Sequence, residues 1–246
     1  MKVLGIIPAR YASTRLPGKP LIDLGGKPMI QHVYERAINS VDDLIVATDD
    51  PRIMHVVHQF GGRAIMTSTH HPNGTSRCAE VVTTLKAQGI TYDVVLNIQG
   101  DEPLLDPDLP KALAQLFLNP DVQIGTAIRP VPPSAELEEG RVYVVTGEGQ
   151  RALYFSRSII PHQRDVPLNL WAQTYQYNHH IGIYAFRSAL LPLIASLPVS
   201  PLEEAEKLEQ LRWLSAGYPV YCVVTPFESV PVDTPDDAQR VLNLLL

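Results

Sequence analysis

A chain of 246 residues with 45% apolar side chains can bury one sizeable core, and no apolar run approaches the roughly 20 residues needed to span a bilayer, which excludes disordered and membrane-spanning classes. The formal charge of −6 is spread without acidic or basic blocks, which excludes the electrostatic footprint of a nucleic-acid or membrane-surface protein. Cys78 and Cys222 lie far apart and outside any metal or redox spacing, and the opening MKVLGIIPARY has too short an apolar run for a signal peptide; the expectation is a cytoplasmic protein with reduced thiols.

In chain order, an apolar run over 3–7 predicts the first strand, which opens into the loop IPARYASTRLPGKP. Pro28 marks a helix start, with Met29, Ile30, Val33, Tyr34 and Ala37 on one helical face. A strand over 44–48 leads through TDDP into a helix carrying Ile53, Val56, Val57 and Phe60, stopped at Gly61-Gly62. A strand over 64–67, a helix over 75–85 and a strand over 93–99 follow, and VVLNI suits burial on both faces.

The second half changes character. RVYVVT and ALYFSR flank GEGQ as the two strands of a hairpin, so the sheet is mixed. Residues 158–177 are polar and predict a long functional loop, after which HIGIYAF resumes as a strand. A helix over 201–216 turns Leu202, Ala205, Leu208, Leu211 and Leu214 inward; PVYCVV is a strand; and Thr234-Pro235 opens a last helix through Ala238, Val241, Leu242 and Leu245. This alternation predicts an α/β fold, a three-layer α/β/α sandwich on a mostly parallel mixed sheet, in one domain over 1–246. NGT at Asn73 matches a glycosylation acceptor, which means nothing without export.

Arg10, Arg15 and Lys19 fall in the loop after the first strand, at the sheet edge where open α/β folds bind ligands. Guanidinium groups bind phosphate through paired hydrogen bonds and Lys adds a point charge, so the loop suits a polyphosphate; a solvated loop balancing the acidic surface is the alternative. Pro17, Gly18 and Pro20 restrict the backbone around Lys19 and favour a shaped loop. A Walker A loop is excluded, because Ser13 stands where its first glycine belongs and Pro20 where Ser or Thr follows the lysine. The only dinucleotide-type glycine pattern, Gly147, Gly149 and Ala152, lies inside the hairpin, which argues against a dehydrogenase.

NIQGDEP places Asp101 and Glu102 just past a buried strand, and VDTPDD brings Asp233 from the far end of the chain. Two carboxylates meeting beside a phosphate loop would give the hard oxygen ligands that Mg²⁺ prefers. Asp101 can equally be a turn residue before Pro103, and Asp233 an acid favouring the helix dipole, although Asp236 and Asp237 already suit that role.

Together IPARYASTRLPGKPL, VATDD, NIQGDEP, ALYFSR, HIGIYAFR, PLEEAEKLEQLR and VDTPDDAQRV resemble the 3-deoxy-manno-octulosonate (KDO) cytidylyltransferase family from the first strand to the last helix. The opening loop is shared in looser form by other sugar nucleotidyltransferases, including those for sialic acids; the later motifs select the sugar. The resemblance implies a glycosyltransferase-A-like nucleotide-diphospho-sugar transferase fold and a homodimer that uses CTP and Mg²⁺ to make CMP-KDO and pyrophosphate for lipopolysaccharide synthesis. It implies that the part around 125–215 serves sugar binding or dimerisation. Arg10, Ser13, Arg15 and Lys19 would hold the triphosphate, Arg77 and Gln99 the cytidine side, and Asp101 and Asp233 the metal, with Lys19, Arg10 and Asp101 closest to the chemistry. Arg157, Arg164, His180, Tyr184, Glu209 and Gln210 would form the KDO pocket.

On the predicted helix over 201–216, Glu206, Glu209, Gln210 and Trp213 share a face opposite the leucines, which suits a sugar site, a solvent face or a dimer surface. His180 has the family's spacing to Gly182 and Tyr184, with a structural histidine as the alternative. The chain departs from the family pattern at Tyr143, at Ser76 and at Pro231, the last bearing on the loop path to Asp233. The same chemistry on another acidic sugar (8-amino-KDO or a sialic acid) and a non-catalytic nucleotide-binding role are the rival readings.

Overall fold

Strand β1 (Val3–Ala9) shows why the sheet needs cover on both sides. Leu4 and Ile6 enter one cluster of buried side chains and Val3, Ile7 and Ala9 another, all at 6% exposure or less. The computed structural model describes residues 1–12 and 16–245. β2 (Asp43–Thr48) and β4 (Val94–Asn97) flank β1 in parallel, with β3 (Ala64–Met66) outside β2.

Beyond β4 lies β8 (Asn178–Arg187), antiparallel to both its neighbours, then β5 (Ile124–Pro130) and β9 (Val220–Val224), parallel to one another. The order β3-β2-β1-β4-β8-β5-β9 is thus a mostly parallel sheet with β8 opposed. The predicted hairpin is present as β6 (Tyr143–Thr146) and β7 (Ala152–Ser156), joined to the sheet where Tyr143 pairs with His179.

On one face pack α1 (Met29–Ala37), α2 (Pro51–Gln59) and α4 (Asp108–Gln115), whose Ile30, Val33, Ile53, Val57, Leu109 and Leu113 share the cluster with Ile7. On the other lie α3 (Gly74–Ala87), α6 (Leu191–Ser196) and α8 (Gln210–Ser215), with Val81, Leu85, Ile194, Leu211 and Trp213 around Leu4 and Ile6. The three-layer prediction holds. Among the described residues no helix is long and apolar enough to cross a membrane.

Three differences from the sequence reading have physical causes. β5 lies outside the sequence reading because residues 124–128 are buried on both faces and so carry no apolar–polar alternation. The predicted loop over 158–177 carries α5 (Trp171–Thr174) and a small core of its own, in which Trp171 and Tyr177 stack at 6.2 Å beside buried Tyr143. The predicted helix over 201–216 is two helices, α7 (Pro201–Glu206) and α8, broken at Lys207, whose φ of 54° is left-handed. Arg157 Nε donates to the Glu206 carbonyl at 2.9 Å, taking an acceptor that a continuing helix would use. Leu202 is therefore exposed, while Gln210 and Trp213, expected on a polar face, are buried.

A last helix, α9 (Pro235–Leu245), lies outside both layers and forms a third cluster, in which Val232 and Val241 pack with Leu24 and Met29.

Candidate active site

The loops after β1, β3 and β4 leave the sheet at one edge because these strands are parallel, and together with Asp233 they enclose a cleft of about 280 Å³. Gly100 is demanded there, since a Cβ on it would lie 2.8 Å from the Pro8 carbonyl oxygen. Arg10 is exposed at the mouth of the cleft. Ser13 and Arg15 lie outside the described residues. The far side of the loop is closed by Gly18, at φ 70°, whose N–H donates to the Tyr11 carbonyl at 3.0 Å. Arg52 stacks 3.3 Å over the Tyr11 ring and is gripped twice by Asp50, so the loop has a fixed floor.

Lys19 begins the short turn after Gly18 and reaches across the cleft, donating to Asp101 Oδ2 at 2.7 Å and Asp233 Oδ1 at 3.1 Å. Asp233 is not needed to cap α9. Asp237 does so, accepting from the N–H groups of Asp233 and Thr234 at 3.1 and 2.8 Å while Thr234 Oγ1 accepts from its own N–H. The Thr234 hydroxyl beside it holds the Asp237 carboxyl below its ordinary range. The helix-acid alternative for Asp233 therefore belongs to Asp237, and the Asp233 side chain is turned to Lys19.

Two carboxylates that already converge on one positive charge suit Mg²⁺, which takes one or two carboxylates and completes its shell with substrate phosphates. Among the described residues no cluster of three or more His, Cys, Asp or Glu offers an all-protein cage instead.

Arg77 and Gln99 both line the cleft, Arg77 from the first turns of α3. The Arg77 guanidinium is 3% exposed and committed inward, to Asp49 Oδ2 at 2.8 Å and Thr67 Oγ1 at 2.6 Å. Here it braces the wall of the cleft. Asn73, the N-cap of α3, accepts from the Ser76 N–H at 2.9 Å and donates to Glu209 Oε1 at 2.9 Å. Thr75 Oγ1 donates to the other oxygen of Glu209 at 2.9 Å.

Glu209 thereby joins the nucleotide side to the predicted sugar side. His180 and Tyr184 stand at a ring distance of 5.4 Å, Tyr184 meets Trp213 at 4.9 Å, and among the described residues the side-chain Nε2 of buried Gln210 has no hydrogen-bond partner, nor does Trp213 Nε1. Thr126 Oγ1 donates to the Ile183 carbonyl at 2.8 Å, so it accepts from His180 Nε2 at 3.0 Å; this network assigns the ring proton to Nε2 and leaves Nδ1 as an acceptor. Burial pushes His180 down to about 3, so the ring is neutral near pH 7. Arg157 is exposed and held by the Glu206 and Gly140 carbonyls. Arg164 is 91% exposed beside Asp165 and is not brought to this group.

Burial pushes Glu209 up to about 7 from an ordinary 4.5. Its folded pKa is thus the higher one, and its contribution to stability is complete below about pH 4.5 and lost as the pH rises through 7. Relative to Glu209→Gln, the unsubstituted chain will lose on the order of 3 kcal/mol of unfolding free energy between pH 4.5 and 8. Urea unfolding across that range measures this; parallel pH profiles for the two proteins would contradict it.

Asp49, Asn73 and Glu102 were not singled out as site residues on the sequence. Asp49 directly follows β2 in VATDD, and that sheet-edge position was its signal. Asn73 was seen only as a glycosylation pattern, although Asn before a helical run is an N-cap signature. Glu102 is 8% exposed, and burial pushes its carboxyl up to about 7.

A family model described as Cytidylyltransferase matches residues 4–223. The 3-deoxy-manno-octulosonate cytidylyltransferase of Phocaeicola vulgatus is 50% identical over 244 residues, covering 98% of this chain and 96% of that protein. The protein of that name from Trichlorobacter lovleyi is 47% identical over 249 residues, covering 98% and 97%. Among solved structures, a CMP:2-keto-3-deoxy-manno-octonic acid synthetase complexed with CTP is similar at a TM-score of 0.90 and 42% identity, over 100% of this chain and 98% of that one. A cytidylyltransferase from Leptospira borgpetersenii, 17% identical with a TM-score of 0.62 over 98% and 85%, shares the fold alone.

Proposed function

Since the chain belongs to the 3-deoxy-manno-octulosonate cytidylyltransferase family, we propose that it transfers CMP from CTP to KDO with Mg²⁺ held by Asp101 and Asp233, releasing pyrophosphate. The observation that carries the metal reading is the convergence of Lys19, Asp101 and Asp233 at the sheet edge. Family membership supports the wider setting: lipopolysaccharide synthesis, in the cytoplasm, by a homodimer.

In this reading the anomeric hydroxyl of KDO attacks the α-phosphorus in line and pyrophosphate leaves. Mg²⁺, when bound, supplies neutralisation of charge on the phosphoryl oxygens. The chain's own part is positioning and electrostatics. Arg10 and Lys19 would bind the triphosphate, while Asp101 and Asp233 would hold the metal. Arg77, fixed by Asp49, holds the cleft wall for the cytidine, with Gln99 at the sheet edge. His180 Nδ1 accepts from a sugar hydroxyl, and Gln210 Nε2 donates to a sugar oxygen. No side chain is required to become charged during the step.

Purified protein with Mg²⁺ and each nucleoside triphosphate in turn will release pyrophosphate with CTP and KDO. Release with a sialic acid or 8-amino-KDO instead would keep the metal site and overturn the sugar assignment. No release with any pair would leave a binding role.

A further inference from the structure

Residues 225–233, between β9 and α9, have no helix or strand, yet they must deliver Asp233 to the cleft. Besides an ion pair of Glu228 with Arg129 at 3.2 Å, three hydrogen bonds fasten the segment upstream of Asp233. Thr225 N–H donates to the Ile128 carbonyl at 2.9 Å where it leaves the sheet. Further on, the Ser229 hydroxyl donates to Glu102 Oε1. Last, Val232 N–H donates to the Asp101 carbonyl at 2.9 Å. The second and third attachments fall on adjacent residues of the loop after β4, one of which is the other carboxylate of the pair.

Glu102 is a costly way to make such an attachment. It is 8% exposed, stands beside the acid Asp101, and its Oε2 is buried without a hydrogen-bond partner among the described residues. A buried carboxyl at that cost implies a geometric duty, because an apolar residue would pack the same space more cheaply. From this geometry we infer that Glu102 is a positioning residue: through Ser229 it ties the segment 225–233 to the loop of Asp101 and so sets the spacing between Asp101 and Asp233. The inference rests on the reading of that pair as the metal-holding carboxylates. With Ser229 untethered, the segment would lose its side-chain tie to the loop of Asp101 and keep only backbone ones there, and Asp233 would spend less time within reach of an ion shared with Asp101.

Ser229 is half-buried in an irregular segment, so Ser229→Ala leaves the core untouched. Binding of CTP is measured by calorimetry with and without Mn²⁺, and Mn²⁺ occupancy by electron paramagnetic resonance. Ser229→Ala will weaken Mn²⁺-dependent binding about tenfold, the scale of one hydrogen bond to a carboxylate, and leave metal-free CTP binding unchanged. Ser229→Thr, which keeps the hydroxyl, will restore it, and amide hydrogen exchange over 226–232 will quicken in the alanine variant only. Equal weakening with and without metal would mean a merely structural bond and overturn the proposal, as would unchanged Mn²⁺ binding. An unsubstituted chain whose CTP binding ignores Mn²⁺ would remove the metal reading itself, and this inference with it.

Discussion

Replacing Lys19 by alanine will lower turnover by about 10²–10³-fold and leave the protein folded. The side chain is 15% exposed, its ammonium is paired with the two carboxylates, and it belongs to neither apolar layer, so its loss creates no cavity there. In the nucleotide-free chain the ammonium keeps Asp101 and Asp233 together; with CTP present it becomes a compact positive charge facing the phosphates. Removing it deletes stabilisation that grows as negative charge accumulates on the departing pyrophosphate, so kcat falls more than the affinity for CTP. Lys19→Arg will recover only part of the rate, because a bulky planar fork cannot take the place of a compact ammonium facing the phosphates. Steady-state kinetics in saturating Mg²⁺ decide this: near-normal kcat in Lys19→Ala would take the lysine out of the reaction.

Asp101→Asn and Asp233→Asn will each reduce Mg²⁺-dependent turnover by at least ~100-fold and shift the magnesium titration to higher concentration. The double variant will be scarcely worse than either single one, because on the proposed reading both carboxylates serve one ion and the first loss already disables it. An unchanged titration curve in either variant would reassign that residue to the binding of Lys19 alone.

Much of this site was legible because it hangs on the strongest local signals in the chain. β1 is a short apolar run buried on both faces, α1 shows five apolar residues at helical spacing, and together they locate the sheet edge that carries Arg10, Lys19 and Asp101. The residues that were missed depend on partners distant in sequence. Asp49 becomes a site residue only through Arg77, Glu102 only through Ser229, 127 positions away, and Asn73 only through Glu209. The break between α7 and α8 is likewise a tertiary event, made by Arg157 taking a helix carbonyl, and no propensity of Glu206 or Lys207 announces it. Arg164 shows the converse: a motif position is recognisable in sequence, yet in the single chain it points into solvent.

The bond between Lys19 and Asp233 joins residues 214 positions apart. The apolar cluster beneath it has the same span, because Leu24 and Met29 near the start pack with Val232 and Val241 near the end. During synthesis, when chains fold from the N-terminus onward, the phosphate loop, the sheet edge and Asp101 all leave the ribosome well before the second carboxylate does. The growing chain can acquire the walls of its cleft early, but it gains the completed carboxylate pair only when the segment from β9 to α9 is free to dock. Completion of that pair is thereby set by the docking of α9 on Leu24 and Met29 and not by the folding of the sheet.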